Sequence, residues 1–220
     1  MCLIIYNKNG TPINNAYIKA AYENNHDGFG VMWSENGSVF TNQGLFSLKV
    51  INEILRELHG MTYACHFRYR TRGAVSAENT HPYQVLSKEN DGEDLWMMHN
   101  GTFNFITATE NDSDSAIFAQ KFAPIIKDLG TDVLFDNFHP RRMGSKIGEN
   151  NKVLFMRGDG KVSVVNNQMG FTENGKWFSN KYSLNSTYRA ESLQQKTAKK
   201  VYDFPKYDYS KDYEKYWKTF

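Results

Sequence analysis

Two dipeptides constrain this chain more than any others. Asn36-Gly37 separates the apolar run 29–33 from 38–41, and Asp159-Gly160 separates 152–157 from 161–166. Asn-Gly and Asp-Gly suit a two-residue turn whose central residues need positive φ, and such a turn joins antiparallel neighbours. The chain is therefore expected to build hairpins at both places. A doubly wound parallel sheet is excluded, because there each strand is followed by a crossover helix. In addition, no glycine-rich nucleotide loop follows the first apolar run, 3–6.

The remaining segments fit around these hairpins. Thr11-Pro12 reads as an N-cap followed by proline at the first helical position, with Ile13, Tyr17, Ala20 and Ala21 on one face. Ser47 opens a clearer helix, in which Leu48, Ile51, Ile54, Leu55 and Leu58 recur at helical spacing before Gly60. Residues 61–68, 83–86, 95–99 and 177–180 read as further strands. Asp112-Ser113 starts a second long helix, which Pro124 is expected to kink or split, and residues 136–151 read as irregular. This order predicts an α+β fold of two antiparallel sheets packed together, with helices outside.

Composition removes several classes of function. At 40% hydrophobic and 15% aromatic residues, the chain has enough apolar matter for one sizeable core. No run reaches the ~20 apolar residues of a membrane helix, and the start lacks a secretory pattern, so the expectation is a cytoplasmic protein off the membrane. A net charge of +2 is too small to imply nucleic acid, and the segment 190–220, with seven lysines against five acids, carries all of it. The six histidines show no metal-ligand spacing, so neither metal nor cofactor is expected. The two cysteines, Cys2 and Cys65, are expected to stay reduced, with Cys65 a buried structural thiol in an apolar strand.

Cys2 is the residue with chemistry to offer. Its small side chain permits an aminopeptidase to remove Met1, which leaves thiol and free α-amine on one residue. An α-amine with a pKa near 8 is a base matched to a thiol, so the residue becomes a nucleophile with its own proton acceptor. On local sequence alone, a small buried cysteine is the competing reading.

Three further stretches accompany it: 66–73 with 78–82 behind it (His66-Phe67-Arg68-Tyr69-Arg70-Thr71-Arg72-Gly73 and Glu78-Asn79-Thr80-His81-Pro82), His99-Asn100-Gly101-Thr102, and Ser113-Asp114-Ser115. In that order and spacing, the chain resembles the glutaminase domain of class II, or N-terminal nucleophile, glutamine amidotransferases. The resemblance implies a four-layer αββα sandwich over residues 2–185, followed by a Lys/Tyr-rich tail, 186–220, that is no separate domain. It implies that Cys2 attacks the side-chain amide of L-glutamine, with Asn100 and the Gly101 N–H as oxyanion hole. Arg68 would hold the substrate carboxylate and Asp114 its ammonium. Thr71, Gly73 and His81 match the loop that closes over glutamine, and His99 would orient the Asn-Gly turn. Taken locally, Asn100-Gly101 also reads as a plain turn, Arg68 as a surface arginine and Asp114 as a carboxylate in a first helical turn.

The chain departs from the family pattern in two places. Ala116 stands where glutamate is usual, and Asn24-Asn25-His26 replaces a common Arg-Gly-Pro ahead of Asp27. Residues 186–220 are too few for an acceptor domain, so a separate synthetase or acceptor subunit is the expected partner, and the tail could dock it or pack on its own domain. Hydrolysis of another γ-glutamyl or amide substrate, and a non-catalytic module on the same fold, are the alternatives.

Overall fold

A computed structural model describes residues 2–71, 73–182 and 184. Along them run β1 (Leu3–Asn7), α1 (Asn15–Asn24), β2 (Phe29–Glu35), β3 (Ser38–Leu45), α2 (Leu48–Glu57), β4 (Tyr63–Phe67), β5 (Tyr83–Leu86), α3 (Lys88–Asp91), β6 (Leu95–Asn100), α4 (Asp114–Leu129), α5 (His139–Ile147), β7 (Lys152–Arg157), β8 (Val162–Val165), β9 (Phe171–Glu173) and β10 (Lys176–Phe178). The tail 186–220 lies outside the described residues.

One sheet has the order β3-β2-β4-β1-β10-β9 and the other β5-β6-β7-β8. Every pairing is antiparallel. Both expected hairpins form, with Asn36, Gly37 and Gly160 at positive φ.

Strand alternation sorts the apolar side chains into three layers. Ile4, Met32, Ala64 and Trp177 from the six-stranded sheet meet Met98, Leu154 and Met156 from the four-stranded one. Leu3, Ile5, Cys65 and Phe67 point the other way, onto Ile18 and Ala21 of α1 and Ile51 and Leu55 of α2. Met97, Val153 and Phe155 turn from the sandwich toward Phe118, Phe122 and Ile126 of α4 and Met143 of α5. The result is the four-layer αββα sandwich, and Cys65 is a buried free thiol within it.

Three local expectations are corrected. The first helix starts at Asn15 rather than after Pro12: Asn14 caps it by accepting from the Ala16 N–H, while the Thr11 carbonyl is taken by the Asn7 side chain. Pro124 does not split α4, which is one helix from Asp114 to Leu129. Pro124 is exposed, so the carbonyl it leaves without a helical donor faces water. Residues 139–147 form α5, with Pro140 in its first turn, where a missing N–H costs nothing. Among the described residues no helix is long and apolar enough to cross a membrane.

Candidate active site

The site lies where the middle layer stops being apolar. Leu3 pairs with Phe67, so Cys2 and Arg68 each stand one step beyond the end of a central strand. On the opposite sheet Asn100 pairs with Lys152, the last pair of β6 and β7. By alternation both follow Met98 and Leu154 on the face turned toward the first sheet. The apolar filling of the sandwich thus gives way, at one end, to Cys2, Arg68, Asn100 and Lys152.

Cys2 is held by both its thiol and its carbonyl. Sγ donates to the Tyr69 carbonyl and accepts from the Tyr69 N–H, each at 3.3 Å. The Cys2 carbonyl accepts from Asn100 Nδ2 at 2.7 Å and from Asn180 Nδ2 at 2.6 Å. Asn100 Nδ2 also donates to Ser179 Oγ at 2.6 Å, and Ser179 Oγ accepts the Ile4 N–H at 2.9 Å. Both hydrogens of the Asn100 amide are therefore in use, while its buried Oδ1 has no hydrogen-bond partner. Gly101 follows where a side chain has no room, since a Cβ would come within 2.2 Å of Asn151 Oδ1. That oxygen is also bonded to His99 Nε2 at 2.9 Å, and His99 Nδ1 meets Ser115 Oγ at 2.7 Å. His99 so ties the Asn100-Gly101 turn to the start of α4.

The other expected residues divide into two groups. Cys2, Thr71, Asn100 and Gly101 line one cavity of about 1150 Å³, together with Ser179 and Asn180. Arg68 and Asp114 are each 4% exposed. Arg68 Nη1 donates to the Ala74 carbonyl at 2.9 Å, and Asp114 Oδ2 accepts the Phe103 N–H at 2.7 Å. Gly73 sits at positive φ against the Ser113 nitrogen, a position closed to a side chain. His81 is buried away from the cavity lining, its ring 4.1 Å from that of His66 and 4.6 Å from that of Tyr83.

Residues 16–127, just over half of the chain, match the family of class-II glutamine amidotransferases. The chain belongs to that family. The matched span contains Arg68, Thr71, Gly73, His81, Asn100, Gly101 and Asp114, and Cys2 lies ahead of it. Among solved structures, this class II amidotransferase is similar to a glutamine phosphoribosylpyrophosphate (PRPP) amidotransferase from B. subtilis complexed with ADP and GMP. The likeness has 15% identity and a TM-score of 0.43, over 83% of this chain and 42% of that one. A structure described as the allosteric regulatory enzyme of purine biosynthesis is similar at 16% identity and a TM-score of 0.44, again over 83% of this chain and 42% of the other. The amidotransferase thus spans less than half the length of either. No curated protein sequence matches it.

Burial dominates the electrostatics of the candidate site. It pushes the Cys2 thiol up, against the opposing pull of the Tyr69 N–H, the chain's amino terminus and the Arg68 guanidinium. It raises the Tyr83 hydroxyl to about 12, where a bond to Ser113 and the charge of Arg68 act the other way. Burial, reinforced by Arg68 and His99, lowers His66 to about 3. His81 is held well below its ordinary value by burial and then by His66. His99 falls to about 4 by burial, with Asp114 opposing. These three rings are neutral at neutral pH, and Arg68 and Lys152 are cations that the two sheets bring to the Cys2 end of the sandwich.

Sequence reasoning missed Ser179, Asn180, Lys152 and Tyr83. Tyr83 carries no local signal, but its hydroxyl is bonded to the Ser113 cap at 2.9 Å, and its ring lies close enough to Arg68, Asp114 and Cys2 for their charges to act on it. Among the described residues no group of three or more His, Cys, Asp or Glu side chains could hold a metal ion.

Proposed function

We propose that the protein hydrolyses the side-chain amide of L-glutamine through a thioester on Cys2, giving glutamate and releasing ammonia to a separate acceptor enzyme in the cytoplasm. One observation carries this reading: Cys2, Asn100 and Gly101 border the same cavity.

In the chain as translated, the Cys2 nitrogen is a peptide nitrogen and cannot act as a base. Removal of Met1 releases it. The α-amine then takes the thiol proton, and the thiolate attacks the γ-carbonyl carbon of glutamine. Negative charge collects on the carbonyl oxygen, where Asn100 Nδ2 and the Gly101 N–H serve as donors. The intermediate collapses by breaking the C–N bond, the α-ammonium returns its proton, and ammonia leaves. Water attacks the thioester with the same amine as base, freeing glutamate and the thiol.

The donors of Asn100 must be redistributed for this step, since both are occupied. Asn180 makes that affordable: it keeps one hydrogen bond on the Cys2 carbonyl when Asn100 turns a hydrogen toward the oxyanion. Arg68 and Asp114 carry opposite charges behind Cys2 and suit the carboxylate and ammonium of a free amino acid. Thr71, Gly73 and His81 belong to the segment that lies over it, with His81 acting through packing.

The test is glutamate release from L-glutamine by protein whose N-terminus is shown by mass spectrometry to be Cys2. Release is expected from that species and from neither Cys2→Ala nor a form that retains Met1. Equal release by Cys2→Ala would end the proposal. Co-purification of a synthetase that takes up the ammonia tests the separate acceptor.

A further inference from the structure

The cavity that Cys2 lines carries charged side chains for which the hydrolysis of glutamine gives no role. Small-molecule sites of roughly 300–1,000 Å³ enclose drug-sized ligands, and this cavity of about 1150 Å³ is larger than a single amino acid fills. Its lining also includes Asn104, Glu149, Lys152, Lys181 and Tyr182.

Lys152 is the anomalous member. It is 8% exposed, and the bond shown for its ammonium is a long one, 3.3 Å, to the Asn150 carbonyl. Among the described residues no carboxylate lies within ion-pair distance of it. Glu149 borders the same cavity but is exposed and makes no such pair. A buried cation without a counter-charge is costly, and burial lowers the pKa of this one. An anion entering the cavity would remove that cost. Lys181, a second cation in the lining, is seated 4.8 Å over the Phe171 ring.

Position gives the anion its place in a substrate. Lys152 is the cross-strand neighbour of Asn100, on the side of Cys2 belonging to the four-stranded sheet, while Arg68 belongs to the other. Cys2 and Lys152 line the same cavity, whereas Arg68 and Asp114 stand outside its lining, so a substrate whose glutamyl end is at Arg68 and Asp114 and whose scissile amide is at Cys2 would place the group attached to the amide nitrogen in the cavity that Lys152 shares.

We infer that Lys152 forms an anion subsite for the departing half of the substrate, so that the site takes γ-glutamyl amides whose amine carries a carboxylate, of the γ-glutamyl amino acid class. This rests on the amide hydrolysis proposed above. The chemistry is the same: the C–N bond breaks, the departing amino acid takes the proton from the Cys2 ammonium, and water later releases glutamate.

The experiment compares γ-L-glutamylglycine with γ-L-glutamylmethylamide, whose departing amine is neutral, with L-glutamine as the reference. Processed wild-type protein is expected to favour γ-L-glutamylglycine by about 10-fold or more in kcat/KM, the worth of one charge-assisted hydrogen bond. The preference should vanish in Lys152→Met and survive in Lys152→Arg. Independently of turnover, the ratio of Cys2 alkylation rates by iodoacetate and iodoacetamide should fall about 10-fold in Lys152→Met. Should that variant melt early, Lys152→Gln takes its place. No preference in wild type, or one that Lys152→Met retains, overturns the subsite while leaving the glutaminase standing. Absence of all Cys2-dependent turnover counts against the glutaminase, and the alkylation ratio then judges Lys152 alone.

Discussion

The side-chain amide of Asn100 donates to the backbone carbonyl of Cys2 at 2.7 Å, across the gap between the two sheets. The residue proposed to stabilise the oxyanion is thus also one that holds Cys2 in place. Asn100→Ala should lower kcat for glutamate release by roughly 10²–10³, the usual cost of one oxyanion donor. Steady-state kinetics on processed protein would show it, and a loss confined to KM would assign Asn100 to binding alone.

Ser179 should matter to stability before it matters to rate. Its hydroxyl accepts both the Ile4 N–H and an Asn100 hydrogen in a fully buried position. Ser179→Ala leaves a buried backbone donor without its partner and should cost about 1–3 kcal/mol. Urea unfolding would measure this, and an unchanged midpoint would mean that the Ile4 N–H finds another acceptor.

Arg68→Lys should raise KM for glutamine by about tenfold or more with a smaller change in kcat. Lysine keeps the charge but cannot make two parallel hydrogen bonds to a carboxylate. The expected companion is Asp114→Asn, which removes the charge facing the substrate ammonium. An unaltered KM in both variants would put the amino acid end of the substrate elsewhere.

Acid should destabilise the fold through its neutral histidines. His66 and His99 are lowered to about 3 and about 4, and His81 is lowered too. Below about pH 6.5 the unfolded chain binds protons that the folded chain refuses. The contribution is therefore complete above that pH and is lost as pH falls toward the folded values. From pH 6.5 to 5 His66 and His99 should each remove roughly 2 kcal/mol, and His81 acts in the same direction. Chemical unfolding at several pH values tests the slope, which His66→Phe should make shallower. A slope unchanged by that substitution would show that His66 does not contribute to it.

The parts of this molecule that could be read in its sequence are those determined locally. The Asn36-Gly37 and Asp159-Gly160 turns need only their own backbone preferences, and α2 needs only its own apolar spacing. Arg68, Asn100 and Asp114 stood out because their neighbours form a recognisable pattern. α5 did not, because Pro140 and Gly144 resemble breakers. In the fold Pro140 occupies the first turn, and Gly144 makes room for Asn166, whose Oδ1 would come within 2.3 Å of a Cβ there. Lys152 and Ser179 gain meaning only from strand pairing with residues far away, which no local spacing records.

Ser179 follows Ile4 by 175 residues, yet the two exchange backbone and side-chain hydrogen bonds, and β10 closes over the open edge of β1. On a ribosome, β1 is therefore synthesised well before the strand that completes its pairing. Until β10 emerges, β1 lacks one neighbour and the Cys2 carbonyl lacks Asn180. Cys2 is therefore held by its full set of partners only after the chain as far as Asn180 has been made.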